Sequence, residues 1–482
     1  MASDRSLYEN PLISRYAGRE MSALFSDQFK FSTWRRLWIA LAEAQGELGL
    51  DITKAQIDEM RSHQDDIDFE LQAANEEELR HDVMAAVLSY GEQCPTARGI
   101  IHLGATSCFV TDNTELIQSF EALRIVRRRL AAAILLLARF AREHKDLVCL
   151  GYTHFQPAQP TTLGKRAVLW LQDLLITWED LQVLLGRFRL RGAKGATGTQ
   201  DSFLKLFGGD HEKVRKLDQL VCRKLGFEAS FPATGQTYTR LWDSKILDCL
   251  KNIALSAHKF AVDFRLMQHL KMVDEPFERR QVGSSAMAYK RNPMRCERLC
   301  SLARIVMSQG QAADHTAATQ WFERTLDDSA GRRLYLPQAF LGVEALLTIY
   351  TNVLAGMRVY PKMVDRLLRE ELPFMATETI LMRAVVAGGD RQVVHEAIRE
   401  HSVEAAREIK EEGAPNRLLE KLAADARIPF DLAELRHVLE ESDFSGRASA
   451  QVEEFLEEQV QPLLPELETA VEGQESSGDL RV

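Results

Sequence analysis

Glycine and proline are scarce in this chain, 27 and 14 among 482 residues, and long intervals hold neither. Those residues punctuate strands and turns, so their rarity excludes a fold of many short strands and makes long helices the default. Cysteine is also sparse and odd in number, at positions 94, 108, 149, 222, 249, 296 and 300. The only close pair, Cys296 and Cys300, has helical rather than metal-knuckle spacing, so the expectation is reduced thiols in a cytoplasmic protein. No apolar run approaches the ~20 residues of a membrane helix; the longest is Leu130 to Ala138. Met1 to Glu20 mixes charged and polar residues without a secretion signal's apolar stretch, so neither membrane insertion nor secretion is expected. Nor is there an excess of positive charge. A net charge of -10 and a pI near 5.8 argue against a nucleic-acid or acidic-membrane binder, which needs a basic face to release counterions. A local basic pocket for a small anion remains allowed.

What is present is hydrophobic content of 45%, enough for a large core in two or three domains. From Tyr238 to Leu270, the residues Ile246, Leu250, Ile253, Ala257, Phe260, Phe264 and Met267 alternate spacings of four and three, which predicts one narrow apolar stripe on a long helix. A second long helix is expected to begin at Asp112, where Asp-Asn-Thr-Glu has the form of a capping box. It carries Leu116, Leu123, Leu130 and Leu137 at sevenfold spacing, with Arg127 interrupting one edge. Further helices are expected over Pro160 to Arg191, Met294 to Ala313 and Arg332 to Met357. The reading is all-α: an N-terminal helical domain over 1–106, a central long-helix bundle over 107–359 and a C-terminal helical domain over 360–482. The last, from Glu472 to Val482, has no apolar pattern and is expected to be a disordered tail. Helices this long with apolar residues on more than one face imply an obligate oligomer.

Chemistry-bearing residues fall between the helices. Gly283-Ser284-Ser285-Ala286-Met287-Ala288-Tyr289-Lys290-Arg291-Asn292-Pro293 combines flexible glycine, paired hydroxyls, a cation and an amide, a set suited to gripping a dicarboxylate. In Gly151 to Pro160 the prolines forbid a helix, placing Thr153 and His154 on an extended segment ahead of one. A histidine there suits proton transfer near neutral pH. Arg80-His81-Asp82 offers a cation, an imidazole and a carboxylate, and reads equally as a solvated helix end. Thr106-Ser107, after Gly104, can bind a carboxylate or cap the next helix. Arg324, Ser329 and Arg333 fit a phosphate site if a helix begins near Ser329. Other chemistries fail on spacing: His395 and His401 are six apart, not four as in a zinc-binding HExxH helix. There is no Gly-x-Ser-x-Gly elbow, and Gly192 to Gly198 lacks the Gly-Lys-Ser/Thr ending of a P-loop.

The Ser284 stretch resembles the signature Gly-Ser-Ser-x-Met-x-x-Lys-x-Asn-Pro of the fumarase/aspartase superfamily. Ala288 stands where proline is usual, and no reacting group is lost. Within the superfamily, the chain is similar over nearly its whole length to the adenylosuccinate lyases. The stretches that carry this are Ser14-Arg15-Tyr16, Arg80-His81-Asp82, Gly104-Ala105-Thr106-Ser107, Thr153-His154-Phe155-Gln156-Pro157 and Trp321 to Ser329. The resemblance implies a homotetramer around a twenty-helix core, with each active site built from three subunits. It implies Ser284 as the base, His154 as the general acid, His81 assisting, and Lys290 with Asn292 holding the carboxylate. Arg15, Tyr16, Arg80, Asp82, Thr106, Ser107, Thr153, Gln236, Arg298, Arg324, Ser329 and Arg333 are the implied substrate contacts. The implied substrates are adenylosuccinate and succinylcarboxamide ribonucleotide, in purine synthesis, with neither cofactor nor metal. The alternatives are an argininosuccinate lyase or another fumarate-releasing lyase, or a non-catalytic homologue that keeps the fold.

Overall fold

A computed structural model describes residues 6–278, 280–441 and 444–472. Apart from Glu472, the expected C-terminal tail lies outside the described residues. Two intervals without glycine or proline become two of the longest helices, Ser107–Glu143 and Leu241–His269. All seven residues of the stripe from Ile246 to Met267 are buried, and so are Leu116, Leu123, Leu130 and Leu137. Each fully buried side chain of this size contributes about 1.5–3 kcal/mol relative to exposure, so the stripes supply much of the core.

In chain order the first five helices are α1 (Arg19–Leu24), α2 (Asp27–Glu47), α3 (Lys54–Ser62), α4 (Phe69–Leu79) and α5 (Asp82–Gln93). The bundle is α6 (Ser107–Glu143), α7 (Leu163–Gly186), α10 (Leu241–His269), α11 (Met294–Ala318) and α12 (Asp328–Gly356). The short α8 (Asp201–Leu206) and α9 (His211–Lys224) lie between α7 and α10 in the chain. The last helices are α13 (Pro361–Met375), α14 (Thr377–Val386), α15 (Arg391–Glu412), α16 (Leu418–Ala423), α17 (Leu432–Glu441), α18 (Ala448–Phe455) and α19 (Leu464–Val471). A separate small core spans Ala376 to Val438, whereas Val452, Leu456, Val460 and Leu467 return to the large one. α12 is long and apolar enough to cross a membrane by length and composition, but 83% of its most apolar window is buried within the bundle. Gly342 lets that helix approach α11, since a Cβ there would meet Val306 at 2.8 Å. α7 leaves Leu169, Ile176 and Val183, at sevenfold spacing, exposed.

Three expectations are corrected. The helix expected from Asp112 begins five residues earlier, at Ser107, so Asp-Asn-Thr-Glu is no capping box. Asp112 is 2% exposed, and its carboxylate accepts from Tyr238 N at 3.0 Å and from the Arg240 guanidinium at 3.1 and 3.2 Å. Tertiary partners satisfy a carboxylate that would otherwise suit a helix end. The helix expected from Pro160 begins at Leu163, where Thr162 Oγ1 caps the backbone N–H of Lys165, and it ends at Gly186 rather than Arg191. Pro160 instead lies in a hairpin of β1 (Val148–Thr153) and β2 (Gln156–Thr162). The Met294 helix continues past Ala313 to Ala318. A second short pairing joins β3 (Val273–Asp274) to β4 (Arg358–Val359).

Candidate active site

A cleft of about 790 Å³ opens where the N-terminal ends of α6 and α12 meet the junction of α4 and α5. It gathers Arg80, His81, Asp82, Thr106, Ser107, Gln236, Arg324, Ser329 and Arg333. Arg80 ends α4 in the left-handed region, φ 52°, which turns the chain so that His81 caps α5. His81 Nδ1 accepts from the backbone N–H of Met84 at 3.3 Å, and its Nε2 lies 3.4 Å from Ser107 Oγ. With Nδ1 an acceptor, the proton of the neutral ring sits on Nε2 and points towards Ser107. The helix-end reading of this stretch is thus met by the His81 cap, and the ring's other nitrogen lies in the cleft. Thr106 is the N-cap residue of α6, yet its side chain makes no capping bond. Two helix N-termini, with their positive dipole ends, therefore face one cleft that also holds Arg324 and Arg333, as an anion site requires.

The floor is a buried charge network that sequence reading missed. Asp328 accepts from Arg240 Nε at 2.7 Å and from Arg324 Nη1 at 3.0 and 3.1 Å. Arg332 donates to Asp243 at 2.7 Å, to the Tyr238 hydroxyl at 2.5 Å and to Glu115, while Tyr238 donates to Asp243 at 2.6 Å. Burial alone would raise the Asp112 carboxyl, but Arg240 and Arg332 hold it below its ordinary value. Despite burial, the same pairing keeps the Arg240 guanidinium above its ordinary value. Apart from Arg324 with Asp328 and Tyr238 with Asp243, four and five residues apart, these partners lie 88 to 217 residues apart in the chain, beyond any local pattern. The local signals were the spacing of four between Arg324 and Asp328, both within the stretch carrying the resemblance, and the adjacency of Arg332 to Arg333. At the rim, exposed Arg333 reaches Asp82 at 3.4 Å.

The other candidates lie elsewhere in the chain. The signature loop sits at the far end of α10: Arg240, in the cleft, precedes that helix, whereas Gln268 near its end donates to the Arg291 carbonyl at 3.1 Å. A helix of 29 residues is about 43 Å long, so one chain does not bring Ser284 to its own cleft. Ser284 Oγ accepts from the backbone N–H groups of Ala286 and Met287 at 3.3 and 3.1 Å. Two donors aimed at one hydroxyl oxygen favour its ionised form. Lys290 is exposed, and Asn292 Nδ2 donates to the Gly283 carbonyl at 3.0 Å.

His154 is likewise remote. The hairpin follows the far end of α6, whose length from Ser107 is about 55 Å, and a six-residue strand spans only about 20 Å of return. His154 and Phe155 form the tip, at φ 53° and 56°, between the paired Thr153 and Gln156. This is the turn that asparagine and glycine normally fill. Holding two other residues left-handed costs about 1–3 kcal/mol each, strain of the kind found at functional sites. His154 and Thr153 are both exposed. Tyr16 and Arg298 meet, with the guanidinium 5.9 Å from the ring centre, and Arg15 is exposed on the same short π-helical turn, Leu12–Tyr16.

Comparison with known proteins shows the family and the fold. A family profile described as lyase matches residues 20–308, and one described as the adenylosuccinate lyase C-terminus matches 373–455. Adenylosuccinate lyase of Saccharomyces cerevisiae is 53% identical over 95% of both chains. That of Schistosoma mansoni is 50% identical over 95% of this chain and 96% of its own. Among solved structures, a fumarate lyase from Mesorhizobium sp. BNC1 superposes with a TM-score of 0.78 at 23% identity, covering 94% of this chain and 100% of that one. A 3-carboxy-cis,cis-muconate lactonizing enzyme from Pseudomonas putida gives 0.80 at 22%, over 94% and 99%. At those identities the two structures establish the fold alone.

Proposed function

The chain belongs to the adenylosuccinate lyase family, and from that premise we propose that it eliminates fumarate from adenylosuccinate, giving AMP, and from succinylcarboxamide ribonucleotide, giving AICAR. The observation that carries the nucleotide side is the single cleft with two helix N-termini, Arg324, Ser329 and Arg333. It suits a phosphorylated substrate and disfavours argininosuccinate, which has no phosphate to fill it.

The reaction removes a proton from the carbon beside a carboxylate, and the electron pair left behind forms the new double bond as the C–N bond breaks. Ser284 takes that proton. A serine hydroxyl is a weak base in water, and the N–H groups of Ala286 and Met287 stabilise the oxyanion it needs to become. Lys290 and the Asn292 amide hold the carboxylate as it gains negative charge in the transition state. His154 protonates the departing nitrogen, and His81 orients substrate through its Nε2–H. Closure of the loop excludes water and strengthens each of these interactions.

The reading also proposes a cytoplasmic homotetramer whose active sites draw on three subunits. Supporting it are seven buried, unpaired cysteines, the exposed Leu169, Ile176 and Val183 stripe, and the separation of Ser284 and His154 from the cleft by whole helix lengths. Two assays test these claims. Fumarate release from adenylosuccinate, but not from argininosuccinate, malate or aspartate, is expected; release from argininosuccinate alone would overturn the substrate assignment. Ser284→Ala and His154→Ala proteins, mixed equally, dissociated and reassembled, should regain activity towards about a quarter of wild type. Confirmed mixed oligomers with no gain would show that one chain supplies both residues.

A further inference from the structure

Arg291 occupies the variable position between Lys290 and Asn292 of the signature, so the motif itself assigns it no task. Its surroundings do. The Arg291 carbonyl accepts from Gln268 Nε2 at 3.1 Å, its Nη1 donates to Asp274 Oδ2 at 3.3 Å, and its guanidinium lies 4.9 Å from the centre of the Phe277 ring. Asp274 Oδ2 also accepts from the Tyr360 hydroxyl at 2.8 Å. Asp274 belongs to β3, which is paired with β4, and Tyr360 immediately precedes α13. The C-terminal half of the loop is therefore tied to the end of α10 and to the strap leading into the last helices.

The other half is held differently. Among the described residues, the hydrogen bonds of residues 283–290 close within the loop: Ala286 and Met287 N–H to Ser284, Lys290 N–H to the Met287 carbonyl, and Asn292 to the Gly283 carbonyl. The loop is thus tethered on one side and self-contained on the other.

We propose that Arg291, together with Asp274 and Tyr360, is a positioning device that fixes Lys290 and Asn292 for the fumaryl carboxylate while the Ser284 half remains free to close. This rests on the reading above that Lys290 and Asn292 hold that carboxylate. Arg291 acts through its two neighbours, which grip the carboxylate and not the phosphate, so its loss weakens the hold on fumarate and leaves the groups that face the nucleotide unchanged.

The test uses the full-length oligomer and measures fumarate and AMP separately as product inhibitors, alongside KM, kcat and thermal unfolding. Arg291→Met keeps the aliphatic stem over Phe277 and removes the charge. It should raise the inhibition constant for fumarate about fivefold, the scale of a partly exposed ion pair with its hydrogen bond, and leave that for AMP within twofold. Asp274→Asn should do the same, and Arg291→Lys should restore most of the loss. Lys290→Met separates the two layers of the argument. If it leaves fumarate inhibition unchanged, the carboxylate-grip reading fails. If it weakens fumarate while folded Arg291→Met and Asp274→Asn do not, the tether fails and the grip survives. Equal weakening of fumarate and AMP, with a lowered melting point, would reduce Arg291 to a general structural role; should Arg291→Met not fold, the Asp274→Asn and Arg291→Lys results decide alone.

Discussion

The two ends of the bundle are built on opposite plans. At the cleft end, Arg240, Asp112, Asp328, Arg332 and Asp243 are all no more than 3% exposed, and each charged group has at least two partners. At the other end, His154 and Lys290 are exposed, the hairpin tip is strained, and the Ser284 loop is held by a few bonds of its own. A phosphate and a ribose need fixed donors, and a rigid wall holds them without reorganisation. Proton transfer inside a closed site needs parts that arrive after the substrate, and those parts must be weakly held beforehand. Each chain keeps the buried network and the exposed loop and hairpin a helix length apart, so the two can differ in stability without compromising each other.

The largest effect should come from breaking the wall. Arg240→Met leaves Asp112 and Asp328 buried with their main countercharge gone. Losing one partner of a buried pair costs about 3–5 kcal/mol, so the unfolding midpoint, compared at fixed protein concentration, should fall steeply. An unchanged midpoint would remove the contrast between the two ends. Next in size, Ser284→Ala and His154→Ala should each lower turnover at least ~100-fold through loss of a proton-transfer group, while unfolding stays as in wild type. Near-normal turnover in Ser284→Ala together with loss in Ser285→Ala would move the base to the second serine.

A smaller effect is expected at the rim. Arg333→Ala should raise KM for the phosphorylated substrate by about tenfold with little change in kcat, the scale of one charge-assisted hydrogen bond. A shift of the same size with the dephosphorylated nucleoside would place Arg333 away from the phosphate. The smallest change is Ala288→Pro. Ala288 follows Met287 in the turn closed by Lys290 N–H to the Met287 carbonyl, the place where proline is favoured, and no hydrogen bond of its N–H is recorded among the described residues. The variant should stiffen the loop by about 0.4–1 kcal/mol and slow proteolytic cutting there, leaving turnover within about twofold. Faster cutting would mean that the turn rejects proline's backbone geometry.

Much of this was legible in the chain, and the limits were physical. The stripe from Ile246 to Met267 could be read because helical periodicity is local, and neighbouring turns suffice to define a face. The Ser284 stretch could be singled out because its hydroxyls, cation and amide are close together in sequence. The two left-handed residues at the hairpin tip could not, since His154 and Phe155 lack the asparagine or glycine that announces such a turn.

By itself, then, the sequence determined a bundle of long helices and named the groups proposed to do chemistry. Tertiary structure alone decided which of those groups meet. Asp112 resembled a helix cap until Arg240, 128 residues on, claimed its carboxylate, and Ser284 stands apart from the cleft because α10 is a rigid rod between them. Helix formation depends on residues three and four apart, whereas ion pairing and the span of a finished helix depend on where distant segments pack.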